Sequence, residues 1–495
     1  MSSAYLKLKQ RLYDVNALNA AMSMMDWDQQ CLMPPGGAEA RAEHQGILSR
    51  MSHELFASDE TGRLIEDAAN EGGDAEALAM IRVAKRRYDQ STKLPTALVE
   101  EKSRLSSEAH EKWVHARANN EFAAFAPMLE RMFEIAREEA ECLGYTDHIY
   151  DALLDMYEEG GTKASCDKMF NGIREPLVQL VKDIKDSGNE PDDSFLYGEW
   201  SEKDQSEFTE MMVKEIGFDF NRGRQDTAPH PFCTGWSVGD IRLTTRYKPY
   251  LGSAIFGSLH EAGHGMYEQG SPKAWDRTPL AGGVSLGVHE SQSRTWENIV
   301  GRSKPFWSRF LPRLLEKFPA LPKVDLDSFL RAINKVEPSL IRVEADEVTY
   351  NLHVLIRFEI ECAVLTGELA VKDMPEAWNA KYQSYLGITP ETDSVGCLQD
   401  VHWSMGSIGY FPTYSMGNLL SYQIWNKLAA DLGDVDGMMA KGDFAPILGW
   451  LIDKVYSKGS FYTPKDLIMQ VTGKEMGPDD YLAGIIGKYR GLYSI

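Results

Sequence analysis

Apolar residues recur at three- and four-residue intervals through Leu6 to Met25, Ile47 to Leu55, Ala75 to Tyr88, Leu98 to Trp113 and Met128 to Cys142, with acids and bases between them. That period matches the 3.6-residue turn of a helix that buries one face. Polar or Pro/Gly breaks separate the segments, as at Met33-Pro34-Pro35-Gly36-Gly37 and Ser187-Gly188-Asn189-Glu190-Pro191. Residues 1–216 therefore read as a helical N-terminal part whose stripes pack against one another. No fixed-period repeat points to a solenoid. With 43% hydrophobic and 10% aromatic residues in 495, the chain has the material for a large core, and one mainly α body is expected over residues 1–495.

The texture changes over residues 217–250. Asn221-Arg222-Gly223-Arg224 is turn-like, His230-Pro231-Phe232 cannot be helix interior, and Asp240 to Tyr247 alternates with β-branched residues, so a small hairpin or short sheet is expected. It could offer an edge to an extended peptide or simply cap the helical body. Residues 251–495 then supply a further set of helices, beginning with LGSAIFGSLHEAGHGMYEQG.

Within that stretch His260 and His264 are four apart, so on a helix both imidazoles can reach one metal ion, with Glu261 beside them. This is the H-E-x-x-H arrangement, in which two neutral imidazoles hold Zn²⁺ and the carboxylate takes a proton from the attacking water. Gly252, Gly257, Gly263 and Gly265 each cost about 1 kcal/mol in a helix interior. They suggest close approach of another backbone or of a substrate. A catalytic zinc site normally takes three protein ligands. Val288 to Asn298 reads as a second helix carrying Glu290, 26 residues beyond His264, with Ser293, Arg294 and Glu297 on the same face. His289 is the competing ligand, about 100° away around that helix. The extended motif with a third nearby histidine fails, because Tyr267 and Gly270 stand where its Gly and His would be. Glu290 and Arg294 could also be a plain i,i+4 surface pair.

Arg342 to Arg357 reads as one long helix with a polar face of Arg342, Asp346, Thr349, His353 and Arg357, suited to a buried hydrogen-bonded wall or to solvent. Gly396 to Trp403 concentrates polar groups just before Trp403 to Asn426, which has no charged residue. That segment is long enough to cross a bilayer. Its Gly, Pro412, Ser, Asn and Gln residues fit a buried, partly irregular segment instead. A net charge of −22 argues against nucleic acid or an anionic membrane as partner. Six scattered cysteines and no signal-like start fit a cytoplasmic chain with reduced thiols.

Together these motifs resemble the carboxypeptidase Taq family of metallocarboxypeptidases. The matching signatures are HPF at His230, DIRLT at Asp240, HEAGH at His260, HESQ at His289, IRVEAD at Ile341 and GCLQDVHW at Gly396, in the family's order over about a third of the chain. The resemblance implies a mostly helical fold with a deep groove and a small sheet near the metal. It also implies a homodimer, zinc or cobalt, and release of single residues from peptides with a free C-terminus. By the motif match His260, His264 and Glu290 become ligands and Glu261 the base. Tyr410, Tyr414 or His402 would stabilise the developing oxyanion. Arg342, with Arg242 second, would hold the terminal carboxylate, and His230 would be a further substrate contact. An oligopeptidase cutting internally and a non-catalytic helical metal-binding scaffold are the rival readings.

Overall fold

The computed structural model describes residues 3–495, which are mostly helical with one three-stranded sheet among them. The chain divides into two compact units, each assembled from segments far apart in sequence. Met1–Thr92, Asp192–Ile333 and Ser421–Glu475 form the first, and Lys93–Pro191, Asn334–Leu420 and Met476–Ile495 the second.

In the first unit the opening periodicity becomes a single helix, Ser3–Cys31, whose stripe of Tyr5, Leu8 and Leu12 is buried. It packs on Ile65 and Ala68 of helix Asp59–Glu71 and on Met80 and Ala84 of helix Ala75–Lys93. The sheet has order β1-β3-β2, with β1 at Gly223–Thr227, β2 at Cys233–Ser237 and β3 at Asp240–Thr245. Strands β2 and β3 make the expected antiparallel hairpin, whereas β1 pairs parallel to β3 with Arg224 opposite Arg242. The turn expected over Asn221 to Arg224 is confined to Asn221 and Arg222, since the strand already begins at Gly223. Its polar composition hides it, and pairing with β3 makes it a strand. A Cβ at Gly223 would collide with the Ile241 carbonyl, so glycine permits that pairing.

Against β3 lies helix Gly252–Gln269, buried on nearly all sides. Such a helix belongs in a core rather than on a surface. Ser258 Oγ donates to Thr245 Oγ1 at 3.2 Å, and the missing side chain of Gly265 makes room for Leu243 and Phe218. The helix is thus fixed on the sheet along one side, and its histidines are turned elsewhere.

The second unit is also built around an all-round buried helix, Tyr350–Thr366, which includes Arg357 and Glu361. The expected helix from Arg342 to Arg357 does not form. Arg342–Glu344 is a 3₁₀ turn, and the α-helix starts only at Tyr350. Asp346 is the reason. Its Oδ1 accepts the N–H groups of Val348 and Thr349, and its Oδ2 accepts the Thr349 hydroxyl at 2.8 Å. A side chain that satisfies nearby backbone donors in this way favours a cap over continued helix. The uncharged stretch is mostly buried, Met405 apart, and irregular up to Phe411, and Pro412 then opens a helix, Pro412–Leu432, at a position that needs no N–H. Among the described residues no helix is long and apolar enough to cross a membrane.

Candidate metal centre

The second helix of the metal site starts where Ser285 Oγ accepts the Val288 N–H, at the end of a Gly- and Pro-rich loop. It runs from Leu286 to Arg294 and loosens into a π-helical turn, Thr295–Val300. Helix Gly252–Gln269 meets it at Gly263, where an added Cβ would lie 2.6 Å from both Gln292 O and Ser293 Cα. The glycine therefore serves the approach of a neighbouring helix backbone, rather than that of a substrate.

This close approach brings His260, His264 and Glu290 together, with one donor atom of each within 4.8 Å of the others. Glu290 Oε2 stands 3.7 Å from His260 Nε2 and 3.5 Å from His264 Nε2. Donors about 2.1 Å from a tetrahedral ion are about 3.4 Å apart, so the spacing fits a common cation. Each group is also held from behind. His260 Nδ1 meets Glu297 Oε2 at 2.9 Å, and His264 Nδ1 meets His289 Nδ1 at 2.5 Å. Glu290 Oε1 accepts Arg294 Nε at 2.7 Å, while Arg294 Nη1 donates to Glu297 at 3.1 Å. The Glu290–Arg294 contact is consequently an enclosed bond behind a ligand candidate and no surface pair.

Charge points the same way. Four carboxylates, Glu261, Glu268, Glu290 and Glu297, stand on the two helices of the site, with Arg294 against Glu290 and Glu297 and Arg302 near Glu297. With the imidazoles neutral, the carboxylates outnumber the guanidinium groups, and a cation bound between them offsets the excess. Burial works to raise Glu290, but Arg294 and His260 outweigh it and hold its carboxyl well below the usual range. Burial pushes His264 down to about 4 and leaves it a neutral donor. At His260 burial opposes protonation, but Glu290 and Glu297 overcome it and raise the imidazole to about 9. The same field that attracts a proton there attracts a metal cation. Burial raises Glu261 to about 7, with Glu290 and Glu297 adding to the effect and His260 opposing it.

The profile of the carboxypeptidase Taq (M32) metallopeptidases matches residues 7–489. The chain belongs to this M32 family. It is a metal-dependent carboxypeptidase. It is 40% identical over 483 residues to carboxypeptidase 1 of Bacillus subtilis, covering 97% of this chain and 96% of that one. Thermostable carboxypeptidase 1 of Thermus thermophilus is 40% identical over 507 residues, with 99% of each chain covered. Among solved structures, an M32 carboxypeptidase from Deinococcus radiodurans R1 superposes with a TM-score of 0.97 at 37% identity over all of both chains. A Pyrococcus furiosus carboxypeptidase does so with a TM-score of 0.97 at 36% identity over 99% of each.

Other residues singled out in this M32 chain fall into separate groups. In the first unit His230 is exposed in the bend before β2. Arg242 lies between the rings of Trp27 and Trp236, at 4.3 and 4.6 Å, and its charge is met by Asp240. In the second unit Arg342, His402, Tyr410 and Tyr414 gather in one cluster. Arg342 Nε and Nη2 donate to Asp400 Oδ1, and its Nη1 donates to Tyr350. His402 Nε2 lies 3.3 Å from the Tyr414 hydroxyl, and the Tyr410 and Tyr414 rings are 5.3 Å apart. Arg357, unassigned from sequence, shares the same carboxylate by donating Nε to Asp400 Oδ2 at 2.6 Å. Burial works to raise Asp400, but Arg342 and Arg357 outweigh it and hold its carboxyl far below the usual range. Glu297, Glu268 and Arg294 also went unassigned, although Glu297 stands two helical turns beyond Glu290.

Proposed function

We propose that His260, His264 and Glu290 hold one divalent ion, zinc in preference to cobalt, and that Glu261 is the general base in releasing single residues from peptide C-termini. The observation that carries this is the convergence of two Nε2 atoms and one carboxylate oxygen, each braced from behind, on the helix face next to buried Glu261. When bound there, the ion polarises the scissile carbonyl and lowers the pKa of water. Glu261 accepts the proton of the attacking water and later delivers it to the leaving amine. An acid raised to about 7 is matched to both transfers near neutral pH. His402, Tyr410 and Tyr414 carry hydrogen-bond donors of the kind that stabilise a developing oxyanion.

Recognition of the terminal carboxylate is assigned to Arg342 ahead of Arg242. Arg242 is matched one to one by Asp240, whereas Arg342 and Arg357 divide the single charge of Asp400 between them. His230 is retained as a weaker candidate contact. The family resemblance supports a homodimer and one peptidase domain spanning both units. Six free cysteines are compatible with a reducing cytoplasm.

The deciding experiment compares a free-acid peptide with its C-terminal amide, following the products as a mass ladder. Loss of one residue at a time from the acid, with the amide nearly inert, is expected. Equal cleavage of both would sink the exopeptidase assignment, and Arg342→Met should abolish the preference while Arg242→Met keeps it.

A further inference from the structure

The two imidazoles of the triad are braced differently. His260 rests directly on a carboxylate, Glu297, whereas His264 rests on another imidazole, and the charge stands one residue further back. His289 Nδ1 faces His264 Nδ1 at 2.5 Å, and His289 Nε2 faces Glu268 Oε1 at 2.7 Å. With both imidazoles neutral, only one arrangement makes both contacts hydrogen bonds and leaves His264 Nε2 with a free lone pair. His264 donates its Nδ1 proton to His289 Nδ1, and His289 donates its Nε2 proton to Glu268.

The surroundings hold this chain in place. Glu268 Oε1 also accepts the Gly283 N–H at 3.2 Å, and the Tyr267 hydroxyl accepts the Val284 N–H at 3.3 Å. The Tyr267 ring packs on His289 with centroids 5.1 Å apart. A Cβ on Gly283 would meet the His289 ring, so the loop closes over the imidazole only because that residue is glycine. Part of the glycine content between Ser271 and Gly287 is thereby explained: it seats a side chain that stands behind a ligand without being one.

We propose that His289 and Glu268 form a positioning pair that fixes the tautomer and ring orientation of His264, and with them the metal affinity of the site. This rests on the assignment of His264 as a ligand. Partners behind a ligating histidine typically govern affinity by 10- to 100-fold. Glu268 supplies the anionic end, and His289 transmits it while keeping a carboxylate out of direct contact with the ligand.

The test is Zn²⁺ affinity of the full-length apoprotein, measured by competition with a chromophoric chelator, alongside the thermal midpoint of the metal-free protein. His289→Ala should weaken binding about 10- to 100-fold, with little change in the metal-free midpoint. His289→Gln, whose amide can accept at one atom and donate at the other, should recover most of the loss. Glu268→Gln should fall between, and Gly283→Ala should weaken binding by displacing the ring. Affinity within twofold of wild type in His289→Ala overturns the proposal. So does a loss that His289→Gln fails to recover and that a fallen metal-free midpoint accompanies, since that is a packing defect. If instead His264→Ala binds zinc normally, the ligand assignment itself fails.

Discussion

Replacing Gly263 with alanine sets a favourable local term against an unfavourable tertiary one. Alanine in a helix interior is better than glycine by about 1 kcal/mol. Here, however, the new methyl carbon would lie 2.6 Å from Gln292 O and Ser293 Cα and 2.9 Å from Gln292 C, all of them backbone atoms of the facing helix. An ordinary contact is about 3.5 Å, so the two helices must part by about 0.9 Å. Overpacking of this kind costs about 1–3 kcal/mol, and the net loss of stability is therefore small, about 0–2 kcal/mol. The site suffers more than the fold, because Glu290 rides on the displaced helix two residues from Gln292. Misplacement by about 1 Å costs about 100-fold in rate. Gly263→Ala should thus show a modest fall in thermal midpoint, weaker zinc binding, and about a 100-fold drop in amino-acid release from a free-acid peptide. Gly257→Ala is the control. On the same helix its Cβ would find only Thr245 Oγ1 at 4.0 Å, so it should keep activity and gain stability. If the two variants behave alike, the steric account of the glycine is wrong.

Glu261→Gln keeps the volume of the buried side chain and removes the base, so kcat should fall about 10²- to 10⁴-fold while bound metal stays at wild-type stoichiometry. Near-normal turnover would refute the assigned role. Chelation should abolish activity and lower the thermal midpoint, and zinc at about 100 times its Kd should restore about 2.7 kcal/mol of stability; an unchanged midpoint would contradict binding at these buried donors. Asp400→Asn leaves two buried guanidinium groups without their anion and should cost about 3–5 kcal/mol at pH 7, read from the denaturation midpoint. Because the folded-state pKa of Asp400 is depressed, its stabilisation is fully present above the unfolded value of about 3.9 and is lost as pH falls towards the folded one. The gap between wild type and variant should therefore narrow progressively below about pH 4, and a gap that widens in acid would refute the ion-pair account.

The helical class was legible because burial of one face imposes a period on each segment independently of the others. The hairpin was legible for the same reason, through alternation in Asp240 to Thr245. Strand β1 was not, since Gly-Arg-Gln-Asp-Thr carries no alternation and becomes a strand only by lying beside β3. The helix expected from Arg342 failed at Asp346, where a side chain out-competes the helical continuation for the N–H groups of Val348 and Thr349. Burial of the polar wall was anticipated as one of two options, and the completely enclosed Arg357 settles it.

What the sequence by itself determined is local. The four-residue spacing of His260 and His264 puts both imidazoles on one helical face whatever surrounds them, and Glu261 must follow. Tertiary packing decided the rest. It chose Glu290 over its neighbour His289 to face that pair, sent His289 behind His264, and brought Glu297 against His260. In the second unit it set Asp400 between Arg342 and Arg357 across a separation of 58 and 43 residues. The physical reason is reach. Backbone geometry fixes relations within a turn or two of helix, whereas partners dozens of residues apart meet only where two helices pack closely enough, as Gly263 allows here.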